Sequence, residues 1–117
     1  EYHQAQQLKA GPKIIVGNGS NRTGKVFIKM TGGTAGAEKA YEKLALAGVG
    51  TIICMHMSDK HRTLAKENNL NVIISGHMAS DSLGMNLFLD ELEKNGISII
   101  PCSGLIRVSR VKDHDPH

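Results

Sequence analysis

A histidine and an aspartate with the spacing of a metal-binding pair follow a stretch typical of a β-strand. His77 stands directly after Asn71–Gly76 (NVIISG), and Asp81 comes four residues after the histidine. A neutral imidazole nitrogen and a carboxylate are suitable ligands for zinc, manganese or iron. The same pair also fits a hydrogen-bonded surface without metal, because an acid near a helix N-terminus is favoured by the helix dipole.

A second histidine, His56, follows the apolar stretch Thr51–Met55 (TIICM) in the same way. If this stretch and Asn71–Ser75 pair side by side, His56 and His77 lie several ångströms apart at one sheet edge. Two histidines and one carboxylate form a familiar open metal site. We therefore expect His56 to be a third ligand or a group that transfers protons near neutral pH. A loop histidine without a role is the alternative.

The turn Thr31-Gly32-Gly33 follows Lys25–Met30 (KVFIKM) and is the third candidate. Backbone N–H groups of a glycine-rich turn between a strand and a helix can bind a phosphate or a carboxylate. The turn lacks the Lys-Ser/Thr pair of a P-loop and the spacing of a dinucleotide-binding loop. A tight turn without ligand is at least as good an interpretation.

The other histidines and the two cysteines do not form a recognisable site. His61 is expected on a solvated helix face, and His114 and His117 lie in a polar tail without an assigned role. Cys54 and Cys102 stand in apolar runs, so we expect two buried thiols in a reducing compartment. They do not form a C-x-x-C pair, which leaves a redox or zinc-knuckle motif unsupported.

These motifs need alternating strands and helices to bring them together. Apolar runs and turn residues predict strands over 13–16, 25–30, 51–55, 71–75 and 97–102. Helical spacing predicts helices over 38–47, from a Ser58 N-cap to 68, and from Ser80 or Asp81 to 95. Leu83, Leu87 and Leu92 should form the apolar face of the last helix. This order predicts an α/β fold of three layers, a mostly parallel sheet with helices on both faces.

Length and composition limit the class of protein. A chain of 117 residues favours one α/β domain, with weak structure expected in the lead-in 1–12 and the tail 107–117. The net charge is +3, but lysines and arginines are scattered and aromatic residues make up 3%, so nucleic-acid binding is not expected. No apolar run is long enough for a membrane span and no signal peptide is visible, which predicts a cytoplasmic protein.

Three stretches between about residues 25 and 101 carry a family resemblance. They are KVFIKMTGGTAGAEKAYEKLALAGVGTII, MHMSDKHRTLAKENNLNVIISGHMASDSLG, and the closing helix and strand through ISIIPC. The most specific motif is Gly-His, three residues and an acid. With these stretches the chain resembles the C-terminal half of Nif-three-like proteins, also called the GTP cyclohydrolase I type 2-like family.

The resemblance implies a longer protein of two similar α/β lobes, with a dinuclear metal site between them and assembly into toroidal hexamers. His77 and Asp81 would bind metal in such a site, although the family usually has Glu at the acid position. The position of His56 more usually carries Glu as well. The family's remaining ligands, an adjacent histidine pair and an aspartate, come from an N-terminal half without counterpart here.

The function implied is a metal-dependent, hydrolase-like one. One or two divalent ions (zinc, manganese or iron) would act on a substrate that the resemblance does not identify. A nucleotide or another phosphate-bearing molecule is the substrate class that we suggest. A non-catalytic metal-binding assembly or regulatory module is the alternative. A small anion-binding regulator that uses only the glycine turn is a third interpretation.

Overall fold

The computed structural model describes residues 2–7, 9, 11–30 and 36–111. Within these ranges the chain forms four helices and four strands. In chain order they are α1 (Tyr2–Gln7), β1 (Lys13–Val16), β2 (Lys25–Lys29), α2 (Ala40–Leu46), β3 (Val49–Cys54), α3 (Asp59–Glu67), β4 (Asn71–Ile74) and α4 (His77–Lys94).

The strands form one sheet in the order β1-β4-β3-β2. β2 pairs in parallel with β3, and β3 pairs in parallel with β4, while β1 runs antiparallel to β4. This is the mostly parallel α/β architecture predicted from the sequence, and it is consistent with the three-layer fold. Because β3 and β4 are parallel neighbours, the loops that follow them emerge at the same edge of the sheet.

The core lies between the sheet and the helices α2 and α3. Side chains alternate along a strand, so every second residue of β3 and β4 points toward these helices. The buried cluster contains few aromatic rings, as the composition requires. Its buried members are Val16, Tyr41, Ile52, Cys54, Ala65, Leu70 and Val72.

A row of four isoleucines crosses the sheet outside this buried cluster. The strand register pairs Ile14 with Ile73, Ile73 with Ile53, and Ile53 with Ile28. Ile14 and Ile28, at the two ends of the row, are 48% and 63% exposed. We call these four residues the isoleucine row. It is an apolar surface that no described residue covers completely.

Local signals explain where α3 begins and where α2 ends. The Ser58 side chain accepts a hydrogen bond from the backbone N–H of His61, which confirms the predicted N-cap. Asp59 lies in the first turn, where the helix dipole favours an acid. The chain leaves α2 through Gly48 at φ +90°, a conformation that glycine adopts without strain.

The predicted last strand over Ile97–Cys102 is wrong. This stretch has no regular secondary structure in the described chain, and Ile97 and Ile100 are exposed. Pro101 cannot donate a ladder hydrogen bond. An apolar run becomes a strand only where a neighbouring strand pairs with it, and the sheet ends at β1 and β2 instead.

Helix α4 differs from its prediction in its buried face. Leu83 and Leu87, expected to pack inward, are 42% and 48% exposed, whereas Asn86 and Asp90 are buried. These two polar residues face the C-terminal segment 106–110, whose Arg107 donates hydrogen bonds to both of their side chains. No helix within the described ranges is long and apolar enough to cross a membrane.

Candidate metal centre

The candidate site lies where β3 and β4 end. Cys54 and Ile74, the last residues of the two strands, are register partners. His56 follows β3 after one buried residue, and His77 follows β4 after Ser75 and Gly76. β3 and β4 therefore pair side by side, which the predicted proximity of His56 and His77 requires.

Ser75 connects the two strand ends. Its backbone N–H donates to the carbonyl oxygen of Cys54 at 2.8 Å, and its Oγ lies 3.1 Å from the same oxygen. The Ser75 Oγ is also 3.0 Å from Oγ of Ser80, in the first turn of α4. Since a hydroxyl group has one proton to donate, Ser80 donates to Ser75 when Ser75 donates to Cys54. These hydrogen bonds hold the end of β3, the end of β4 and the start of α4 together, and no sequence pattern indicated them.

Helix α4 begins at His77, so the predicted start at Ser80 or Asp81 is wrong. Gly76 has φ +86°, which turns the chain sharply out of β4, and its carbonyl accepts the N–H of Ser80 at 3.0 Å. The helix therefore starts one turn earlier than the polar residues suggested. His77 and Asp81 consequently lie one helical turn apart on the same face.

This helical spacing brings the two side chains together. His77 Nε2 lies 3.1 Å from Asp81 Oδ2, and the side chains are 49% and 62% exposed. Two ligands at about 2.0–2.2 Å from one ion stand roughly 3 Å apart at ordinary bond angles. The pair is thus spaced as two ligands of one cation would be, and it is open to solvent. The same contact without metal is a hydrogen-bonded surface pair.

His56 lies beside this pair with a different orientation. Its ring centroid is 5.8 Å from that of His77, and the planes differ by 23°, so the imidazoles are stacked. Stacked rings present their faces to each other rather than directing nitrogens at one point. Among the residues that the structure describes, no group of three or more His, Cys, Asp or Glu side chains is arranged to hold a metal ion. For His56 to contact an ion held by His77 and Asp81, its side chain must therefore rotate.

Several other predicted residues lie outside the described ranges. Thr31, Gly32 and Gly33, the expected anion-binding turn, belong to this group, as do His114 and His117. The strand β2 that precedes the glycine turn ends at Lys29, two residues before Thr31.

His61 is not on a solvated face, and that expectation was wrong. The residue is 7% exposed, and its Nδ1 lies 2.6 Å from the hydroxyl oxygen of Tyr41. The two rings meet edge to face, with centroids 5.3 Å apart. Burial raises the pKa of Tyr41, so its hydroxyl keeps the proton that it can donate to His61. The pair joins α2 to α3 and takes no part in the candidate site.

Of the two cysteines, only Cys54 is buried as expected. Its exposure is 3%, and burial raises the pKa of its thiol although the nearby Lys29 ammonium acts in the opposite direction. Cys102 is exposed, contrary to the prediction, because the segment that carries it is not a strand. Neither residue is part of the His77–Asp81 pair.

The fold and the site define an α/β protein in which an imidazole and a carboxylate, those of His77 and Asp81, adjoin each other at the carboxyl edge of the parallel strands. No protein-family model and no curated protein matches the chain. Its fold is similar to that of reduced HcgD from Methanocaldococcus jannaschii, with a TM-score of 0.56 and 14% sequence identity. The similarity covers 81% of this chain but 39% of that one, so the chain spans about two fifths of that protein's length. At this identity the similarity shows the fold alone.

Proposed function

We propose that the chain is a divalent-metal-binding, hydrolase-like protein of the Nif-three-like family, with His77 and Asp81 as metal ligands. The observation that supports this most is the 3.1 Å separation of Nε2 and Oδ2 at the carboxyl edge of the sheet. The residues present fit part of a metal site: one imidazole and one carboxylate, side by side and accessible. The ion would be zinc, manganese or iron, which accept this pair of donors.

Each side chain has a role in this proposal. His77 and Asp81 hold the ion by Nε2 and Oδ2 and leave its other positions open, since both side chains are about half exposed. When bound, a divalent ion supplies a water molecule of lowered pKa and polarises the substrate. His56 is exposed beside His77, where its imidazole can accept a proton from a nearby water or complete the coordination after rotation.

The proposed substrate is a nucleotide or another phosphate-bearing molecule. Thr31, Gly32 and Gly33 would bind its phosphate through backbone N–H groups. Their position supports this role, because they follow β2, and β2 is parallel to β3 and therefore ends at the same edge of the sheet. A second metal ion of a dinuclear centre would need ligands beyond His56, His77 and Asp81.

A non-catalytic assembly module is the second candidate function. Exposed apolar side chains on α4, among them Met78, Leu87 and Phe88, favour association with further protein surface. The isoleucine row offers another such surface. In a homo-oligomer, for which the family resemblance suggests a hexamer, a metal ion bound at His77 and Asp81 would stabilise the assembled form.

We also propose a cytoplasmic location for the protein. The thiols of Cys54 and Cys102 are free, as is usual for cysteines in a reducing compartment.

Metal content combined with turnover separates the two functions. The chain, without a histidine tag, would be loaded with zinc, manganese or iron, and bound ions per chain counted by mass spectrometry. Hydrolysis of p-nitrophenyl phosphate, bis-p-nitrophenyl phosphate and nucleoside triphosphates would then be measured. Bound metal with turnover that disappears in Asp81→Asn and persists in Glu91→Gln supports the hydrolase. Bound metal without turnover, together with a metal-dependent change of oligomeric state, supports the assembly module, and absence of bound metal contradicts both.

A further inference from the structure

The two faces of the sheet differ in how well helices cover them. Helices α2 and α3 pack on the face that carries the core, whereas the other face carries the isoleucine row, and no described helix packs along it. Sheets with parallel strands are normally covered by helices on both faces. A helix over the isoleucine row would therefore complete the third layer of the fold.

One side of α4 is apolar and exposed. Met85, Phe88 and Leu92 are three and four residues apart, which places them on the same side of the helix. Met85 and Phe88 are 47% and 57% exposed. Ile97 continues this side, because its N–H donates to the Leu92 carbonyl at 3.1 Å in the turn through Gly96, a helix ending that brings the two side chains together. We call these four apolar residues the α4 stripe.

Helix α4 extends beside the sheet rather than lying over it. Asn86 and Asp90, on its other side, are hydrogen-bonded to the segment 106–110, and α4 packs on no described strand to the extent that α2 and α3 do. The molecule measures 57 × 29 × 26 Å. Its radius of gyration is 17.6 Å, where a compact chain of this length has about 13 Å. The α4 stripe therefore stays exposed instead of covering the isoleucine row of its own chain.

The surface area shows how much contact is left for a partner. The accessible surface is 8456 Å², whereas a compact monomer of 12.6 kDa exposes roughly 6,200 Å². The chain thus exposes roughly 2,200 Å² more than a compact monomer would. A stable interface takes about 800 Å² from each partner, roughly a third of this excess. The excess surface is therefore large enough for a stable dimer.

We propose that two copies of the chain form a symmetric dimer in which the α4 stripe of each copy lies on the isoleucine row of the other. A second copy fits because each copy offers both an uncovered sheet face and an uncovered apolar helix side. A two-fold axis satisfies both with two identical contacts. The half of α4 over residues 85–94 is about 14 Å long, which matches the roughly 14 Å between the outer strands of the row.

The proposed contact does not use the candidate metal centre. His77 and Asp81 lie N-terminal to the half of α4 that carries the stripe, so the dimer should form without metal. Analytical ultracentrifugation of the tag-free chain in EDTA, from about 1 to 100 µM, tests this. We expect a dimer, or a larger assembly with an even number of chains built from such dimers. Because metal is removed, failure of this contact and failure of the proposed metal-dependent function are distinguishable.

Two variants locate the contact. Ile28→Asp on the row and Phe88→Lys on the stripe each place a charge in an apolar contact and should halve the mass of the assembly. Mixed in equal amounts, they should recover the mass of the parent. The mixed dimer keeps one unaltered contact, and in the other the introduced carboxylate faces the introduced ammonium group. Leu46→Asp, exposed on α2 and outside both surfaces, is the matched control and should leave the mass unchanged.

Circular dichroism checks the fold of each variant, and Ile14→Asp or Met85→Lys replaces one that fails to fold. A parent that stays monomeric at about 100 µM would overturn the proposal. An assembly of parental mass formed by either folded variant alone, or a mass halved by Leu46→Asp, would overturn it too. So would a mixture without recovery, because reciprocal contact between stripe and row is what lets the two variants complement each other.

Discussion

The hydroxyl oxygen of Tyr41 lies 2.6 Å from Nδ1 of His61, which ties α2 to α3 beneath the sheet. Both residues are buried, with exposures of 4% and 7%. Burying an imidazole nitrogen without a hydrogen-bond partner lowers the free energy of unfolding by more than an ordinary hydrogen bond raises it. This contact therefore contributes to stability mainly by preventing an unsatisfied group in the core.

Tyr41→Phe removes the hydroxyl and should lower the free energy of unfolding by about 1–3 kcal/mol, because Nδ1 of His61 is left buried without its partner. Urea denaturation followed by circular dichroism measures the change. Thr63→Val, on the exposed side of α3, is the control and should alter stability by no more than about 0.5 kcal/mol. Equal stability of Tyr41→Phe and the parent would show that the pair is not formed in solution.

The C-terminal segment 106–110 is hydrogen-bonded to α4, and Arg107 makes the largest share of these bonds. Arg107 Nη2 donates to Asp90 Oδ1 at 2.7 Å and to Glu93 Oε2 at 2.8 Å, while the N–H of Arg110 donates to the same Asp90 oxygen at 3.2 Å. The hydrogen bond from Arg107 lowers the pKa of Asp90, and the burial of the carboxyl group opposes it only in part. These contacts give residues 106–110 a fixed position without regular secondary structure.

This lowered pKa predicts a specific acid sensitivity. An aspartate in the unfolded chain has a pKa of about 3.9, so the contribution of Asp90 to stability is complete above that pH. It is lost as the pH falls further, through the lower pKa of the folded state. Asp90→Asn should therefore be less stable than the parent near neutral pH, and the difference should shrink below about pH 4. Urea denaturation across this range measures it, and a difference that stays constant into strong acid would contradict the assignment.

The two thiols should differ strongly in reactivity. Cys102 is exposed, whereas Cys54 is buried and has a raised thiol pKa, which lowers its thiolate fraction. Iodoacetamide at neutral pH should add one label to the native chain and two after denaturation, as read by intact mass. Cys102→Ser should remain unlabelled in the native state. Rapid double labelling of the native parent would mean that the core around Cys54 is open.

Local signals in the sequence predicted much of the fold. Short apolar runs identified β2, β3 and β4, and the residue type of Ser58 identified the start of α3. The helices between the three strands indicated that the strands run parallel. The predicted strand over 97–102 failed because strand formation depends on a partner elsewhere in the chain. The prediction that His61 lies on a solvated face was wrong for a related reason, because its partner Tyr41 stands 20 residues earlier in the chain.

The sequence predicted that the side chains of His56, His77 and Asp81 lie near one another, but it did not predict where α4 begins or how the two imidazole rings are oriented. His56, His77 and Asp81 were identified because ligands collect after parallel strands. Gly76, with φ +86°, makes the sharp turn that a glycine permits, but the sequence did not show that α4 begins directly after it or that Ser75 and Ser80 are in contact. That start places His77 and Asp81 on one helix face and leaves His56 stacked beside them rather than directed at the same point.

Calorimetric titration of the tag-free chain with Zn²⁺ and Mn²⁺ tests the central claim most directly. His77→Ala and Asp81→Asn should each weaken binding at least about tenfold, because each removes one of the two proposed ligands. Glu91→Gln, on the same helix, and the double variant His114→Ala/His117→Ala, in the tail, should bind as the parent does. Equal affinity in the parent, His77→Ala and Asp81→Asn, or loss of binding only in the tail variant, would contradict the assignment.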